Sequence, residues 1–376
     1  MGQVLARKSG AATTQSRSHR RLAKFVDWIK AEPGTRDAIY KQAADIRRLI
    51  SNQAVADGLA VIATPEAGSF AKHTGLRRYM RGHSEIEGQD VDLPFVVKPT
   101  TAEGERITEL LQKFERYAET SYPSTSRDVT ASSVELRFVV SKLNYDLVPM
   151  LTTSQADYQL LLKKDGSRRL TSVTKHTEFV RSRTRQSDAL PGRVKFNECV
   201  RLLKWWRFIR IDDASSIEEV RTTLIELLCA SAYDRTSVET TYTETLLKWF
   251  SWLAAVTAQR MRITFSDYPT IEPFNREAQG NPLWQVIDPV NANNNVVHSQ
   301  WGNIELEEFA AWFAAARDAL SRLVAHEKAG NDSIVAEILA DLFGNPVLTH
   351  GELSRVACRL RPGRRQTPLA RRGYAR

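Results

Sequence analysis

Cysteine is scarce and scattered. Cys199, Cys229 and Cys358 are too few and too far apart for a disulfide framework or a Cys-x-x-Cys metal site, so reduced thiols are expected. Long apolar runs are missing too. The most apolar stretch, Leu246–Ala258, is interrupted by Lys248 and falls short of the roughly 18 residues that a membrane helix needs. The basic N-terminus has no hydrophobic signal core, and a cytoplasmic location is the default expectation. No Gly-x-x-x-x-Gly-Lys-Ser/Thr loop, Gly-x-Ser-x-Gly elbow or His-Glu-x-x-His pair occurs, which sets aside the chemistries those motifs carry.

What is present begins with length: 376 residues, 42% of them hydrophobic, suffice for two lobes with sizeable cores. The net charge of +9 suggests a polyanionic partner until its position is read. Residues 1–24 hold six Lys/Arg and residues 353–376 hold eight, with no acid in either, which leaves 39 bases against 44 acids elsewhere. The body is mildly acidic, so a body-wide groove for duplex nucleic acid is not favoured. The two basic ends read as disordered tails.

Chemistry concentrates in three segments. Residues 88–97, Gly-Gln-Asp-Val-Asp-Leu-Pro-Phe-Val-Val, place Asp90 and Asp92 on one face of a buried strand, where two like charges call for a cation and hard oxygen ligands select Mg²⁺ or Mn²⁺. Upstream, a strand-like Leu59–Ala63 leads to Gly68-Ser69, a bend where a phosphate can approach the backbone and find a hydroxyl donor. Downstream, Val134–Val140 and Tyr145–Pro149 read as a hairpin that carries a third acid, Asp146. Between Gly68 and Asp90, the residues Arg77, Arg78 and Arg81 read either as triphosphate contacts or as a solvated loop.

The rest is mainly helical. Apolar spacing predicts two helices over 22–50 broken near Glu32-Pro33-Gly34, one over 107–117, and others near 193–210, 216–233, 238–259, 303–327 and 332–343. A short strand is expected at Met261–Phe265 and a turn at Asn293–Asn295. Lys204 sits in an apolar run, where its ammonium needs either an anion such as phosphate or a route to solvent. His176 has no second His or Cys at ligand spacing and reads as a surface or packing residue.

Gly68-Ser69, then Asp90-x-Asp92, then a lone Asp146 in an apolar strand is an order of parts that resembles the polymerase-beta-like nucleotidyltransferases. More narrowly it resembles the CD-NTases, bacterial synthases of cyclic di- and trinucleotide signals related to the animal cyclic GMP-AMP and oligoadenylate synthases. Residues 193–206 are similar to that family's helix with a phosphate-contacting lysine, here Lys204, and residues 287–296 are similar to its Asp-Pro…Asn-Val segment. The resemblance implies a two-lobed α+β fold: a nucleotidyltransferase core with a mixed sheet and a bracing N-terminal helix over 25–190, a helical C-terminal lobe over 191–352, basic tails at 1–24 and 353–376, and an active site between the lobes.

It also implies a division of roles. Asp90, Asp92 and Asp146 hold two Mg²⁺ ions, Gly68 and Ser69 hold the triphosphate, and Lys204 grips phosphates from the second lobe. ATP or other nucleoside triphosphates would be substrates, with a regulatory protein and a downstream effector as partners in antiphage defence. The animal sensor's Cys/His zinc cluster has no counterpart, so activation by duplex DNA is not expected. Two other readings stay open: the same core acting on an RNA end, a protein or a small molecule, and an inactive nucleotide-binding scaffold.

Overall fold

A computed structural model describes residues 16–349, apart from 82–83, 87–89, 100–105, 213–216, 218 and 270–279. The expected tail at 353–376 and residues 1–15 of the N-terminal one lie outside the described residues. The chain opens with two helices, α1 (Arg17–Ile29) and α2 (Pro33–Ala56), separated where Pro33 starts the second. The nucleotidyltransferase lobe follows with β1 (Val61–Ala63), α3 (Gly68–Ala71), β2 (Tyr79–Arg81), β3 (Ser84–Ile86), β4 (Asp90–Val97) and α4 (Ile107–Ser121). It continues through β5 (Ser126–Val129), β6 (Val134–Phe138), β7 (Leu143–Thr152), β8 (Gln159–Leu162) and β9 (Arg168–Thr171).

One seven-stranded mixed sheet organises this lobe, in the order β1-β4-β7-β6-β5, with β8 on the far half of β7 and β9 beside β8. The central pair, β4 and β7, runs parallel in unbroken register from Asp90↔Asn144 to Val97↔Leu151. Its pleat sorts the side chains. Val91, Leu93, Phe95 and Val97, with Tyr145, Leu147 and Leu151, point into a core with Ile39, Ile46 and Ile50 of α2 and Leu110, Leu111 and Phe114 of α4. The alternate residues, Asp92 and Asp146 among them, face the other way, toward the second lobe.

That lobe is built from α5 (Val173–Asp188), α6 (Phe196–Asp212), α7 (Thr222–Thr236) and α8 (Tyr242–Ala258), then the short pair β10 (Ile287–Asp288) and β11 (Asn291–Asn295). It closes with α9 (Asn303–Lys328), α10 (Asp332–Phe343) and α11 (Pro346–Thr349). Trp205, Trp206, Trp249, Phe250, Phe309 and Phe313 fill its core, as expected of aromatics at helical spacing. Among the described residues no helix is long and apolar enough to cross a membrane. Cys199 and Cys229 are buried and free.

Four expectations need correction. The N-terminal tail does not extend to residue 24, because α1 starts at Arg17. Ser16 caps it by accepting from the His19 amide, and Ser18 bonds Glu327 through both its amide and its hydroxyl, each at 2.8 Å. Leu22, Phe25, Val26 and Ile29 then pack with the helical lobe rather than with the sheet. The helical core also begins before residue 191, since α5 contributes Phe179 and Val180. Met261–Phe265 makes only a single bridge, Ile263 to Val286, and Asn293–Asn295 belongs to β11 instead of a turn.

Candidate active site

Register builds the centre of the site. Asp92 and Asp146 are partners across the parallel β4–β7 pair, so their carboxylates leave neighbouring strands on the same face, and both are half-buried in a cleft of about 420 Å³. Ser133, just before β6, donates from Oγ to Asp146 Oδ1 at 2.9 Å and fixes that carboxylate. Gly68 lies opposite Asp92. With φ at +75°, and with any added Cβ falling 2.5 Å from Asp92 Oδ2, the position excludes side chains on two counts. Ser69, the next residue, is not among the side chains that line the cleft.

Asp90 follows the same alternation but sits at the exposed strand end, where its Oδ1 accepts from Asn144 Nδ2 at 3.2 Å. The structure thus brings Asp92 and Asp146 together and leaves Asp90 at the rim. Among the described residues no group of three or more His, Cys, Asp or Glu side chains is already gathered as a metal site. The donor chemistry nevertheless fits a small divalent cation. Two level carboxylates of like charge, with a third on the same strand face, form a hard-oxygen set whose repulsion a cation relieves.

Lys204 finds the anion it needs within the chain, in a carboxylate of α7. It is buried, with Nζ 2.7 Å from Glu226 Oε1 and 3.1 Å from Thr74 Oγ1, and it does not line the cleft. Glu226 on α7 also accepts from Thr74 Oγ1 on Oε1 at 2.9 Å and from Lys72 Nζ on Oε2 at 2.7 Å. Lys72, one helical turn past Gly68, does line the cleft. Burial alone would raise the Glu226 carboxyl, but the charges of Lys204 and Lys72 and their hydrogen bonds outweigh it and hold it well below the usual carboxylate range. Burial likewise opposes the Lys72 ammonium, and Glu226, with smaller help from Asp92 and Asp288, reverses that and raises it. One carboxylate therefore joins both lobes directly behind the Gly68 bend.

The arginines of the 77–81 stretch are used elsewhere. Arg77 stacks on Trp28 and bonds the Trp28 carbonyl and Glu32, Arg81 reaches the Ile209 carbonyl, and Arg78 does not line the cleft.

Sequence reasoning missed the opposite wall. Arg169 and Thr171 on β9, Thr223 on α7, and His176 with Asp288 all line the cleft. His176 Nε2 lies 2.7 Å from Asp288 Oδ1, and Asn294 Nδ2 donates to Asp288 Oδ2 at 2.7 Å. Burial would raise the Asp288 carboxyl, but the imidazole, the Val290 amide and Asn294 together bring it below its ordinary value. The Asp-Pro…Asn-Val segment was the available signal, and it gave the residue without its partner 112 positions away.

Comparison with known proteins bears on the family and the fold. Residues 17–183 match the family model described as the Second Messenger Oligonucleotide or Dinucleotide Synthetase domain. The chain is 30% identical over 236 residues to the cyclic AMP-AMP-AMP synthase of Escherichia coli strain MS 115-1, which covers 61% of this chain and 67% of that protein. Its fold superposes on E. coli MS115-1 CdnC with ATP at a TM-score of 0.69, with 24% identity, across 87% of this chain and 97% of the other. It superposes on the CdnC:HORMA-deltaN complex at 0.67, again with 24% identity, across 87% and 96%. The chain belongs to the CD-NTase family of metal-dependent nucleotidyltransferases, the synthases of cyclic oligonucleotide signals.

Proposed function

We propose that this protein joins nucleoside triphosphates, ATP among them, into a cyclic di- or trinucleotide that serves as a second messenger in antiphage signalling. The observation that carries the reading is the cleft itself: Asp92 and Asp146 level on parallel strands, facing Gly68 and Lys72. In each transfer a ribose hydroxyl oxygen bonds to the α-phosphorus of a triphosphate, the bond from that phosphorus to the bridging oxygen breaks, and pyrophosphate leaves. Asp146, steadied by Ser133, accepts the hydroxyl proton. Gly68 lets the triphosphate lie against the backbone, while Lys72 supplies positive charge beside it.

Asp90, Asp92 and Asp146 are the residues that would hold Mg²⁺ or Mn²⁺, two ions in all. Bound there, such ions neutralise charge on the phosphates and lower the pKa of an attacking hydroxyl. Lys204 acts in this reading through Glu226, keeping Lys72 in place, instead of touching phosphate. The complex of the E. coli relative with HORMA-deltaN supports a regulatory protein as partner, and a product-responsive effector completes the signalling role.

The test is incubation with labelled nucleoside triphosphates and Mg²⁺ without any acceptor, read by phosphatase digestion and mass spectrometry. Phosphatase-resistant cyclic products are expected. Label that appears only after RNA or a protein acceptor is supplied would move the activity to that acceptor.

A further inference from the structure

The cleft continues past Arg169. A second cavity, of about 460 Å³, opens between the turn joining β8 to β9 and the Asn-rich strand β11. Arg169, Arg221 and Asn294 line both spaces, so the two share a wall. Among the described residues, four cationic side chains face the second cavity, Lys163, Arg168, Arg169 and Arg221, against one carboxylate, Asp165. Asp165 is turned into its own loop, accepting from the Ser167 amide at 2.8 Å, and Arg221 is shared with Glu219.

No described carboxylate lies within ion-pair distance of Lys163 or Arg169, and Arg169 Nε is buried without a hydrogen-bond partner. Burial first, and then the Arg169 charge, lower the Lys163 ammonium below its ordinary range, with Asp165 opposing and Arg221 adding to the effect. Like charges crowded around an open space, one of them with an unused donor, are relieved by an anion that brings several acceptor oxygens. Asn293 and Asn294 on the facing wall add amide groups suited to a sugar or a base.

We propose that this cavity is a third nucleotide position, binding the phosphates of a nucleotide beyond the two that react in the cleft. The phosphates come from either of two sources: the growing linear intermediate, as making a ring of three from one cleft requires, or a free nucleotide from solution. The first source rests on the cyclising function proposed above. Binding at the cavity does not.

The experiment uses the full chain with Mg²⁺ and an ATP analogue bridged by methylene between its α- and β-phosphates, so that no transfer occurs. Equilibrium dialysis should count three analogues per wild-type chain and two for Lys163→Glu. Lys163→Ala should weaken the third site by about 10- to 100-fold, the effect of losing one charge-assisted bond, and Lys163→Arg should restore it. Thermal midpoints, expected to match wild type because Lys163 lies at a hairpin turn, exclude a folding defect. Equal stoichiometry in wild type and Lys163→Glu overturns the proposal.

Turnover with ATP then separates the sources. A linear triphosphorylated intermediate that accumulates in Lys163→Glu while ring yield falls assigns the site to the intermediate. An unchanged ratio of linear to cyclic product, with loss of one order in the ATP dependence of the rate, assigns it to free nucleotide. A wild-type chain that makes no ring would sink the cyclising function, while the dialysis count would still decide whether the cavity binds a nucleotide.

Discussion

Two clusters of charge sit on either side of the Gly68 bend and follow opposite rules. On the sheet floor, Asp92 and Asp146 share a sign and a strand face. At the seam between the lobes, Lys72, Glu226 and Lys204 alternate in sign, and the two oxygens of Glu226 are each met by an ammonium at 2.7 Å. Charge buried to hold the lobes together comes with its partners built in. Charge kept for chemistry is gathered with its own sign on one strand face of an open cleft, where a substrate and cations can reach it.

The largest test of this contrast is Asp92→Asn with Asp146→Asn. Product formation in the acceptor-free assay should fall by ~10²–10³ or more, as when preorganised charge is removed from a transition state, while thermal melts stay level or rise. A collapse in melting temperature would mean that these acids are structural after all, and the contrast would fail. Gly68→Ala comes next. The new Cβ meets Asp92 Oδ2 and the backbone is strained at φ +75°, so about 10²-fold in turnover should be lost through a displaced carboxylate.

At the seam the expectation reverses, with stability lost first. Glu226→Gln leaves two buried ammonium groups short of a counter-charge and should cost about 3–5 kcal/mol in denaturant unfolding. The apolar pair Glu226→Leu with Lys204→Met should recover much of that, since it removes charge from both sides. Acid sensitivity sharpens the point. Because the folded Glu226 carboxyl lies below its unfolded value, its contribution is complete above about pH 4.3 and fades as pH falls toward the depressed folded value. Wild-type unfolding free energy should therefore drop more steeply below pH 4.3 than that of Glu226→Gln. The smallest effect is expected from Ser133→Ala, which removes a single bond to Asp146. Turnover should drop by roughly three- to tenfold, with stability within about 1 kcal/mol.

How far the residues alone led can be judged from the same two clusters. Asp92 and Asp146 were legible because alternation within a strand is local, and α4, α9 and α10 because apolar spacing is. The parallel pairing that makes the two acids neighbours is not local, and only the resemblance pointed to it. Lys204 was flagged correctly as a charge in need of a partner. Glu226 could not be named because α7 packs on α6 through tertiary contacts that no spacing encodes, and Lys72 comes from the other lobe, 154 positions from Glu226. Helix α1 was obscured for a different reason: Arg17, Arg20 and Arg21 gave its first turns the look of a solvated tail, while its buried face became visible only once α8 and α9 lay beside it.

The in-register ladder between β4 and β7 also sets what this architecture can tolerate. The two acids are levelled by backbone bonding along the strands, so a change of length between them leaves their pairing intact as long as β6 and the turn carrying Ser133 keep their places. A residue inserted within β7 would act very differently. It would rotate Asp146 toward the apolar layer under α2 and α4, silencing the enzyme while leaving its outline intact.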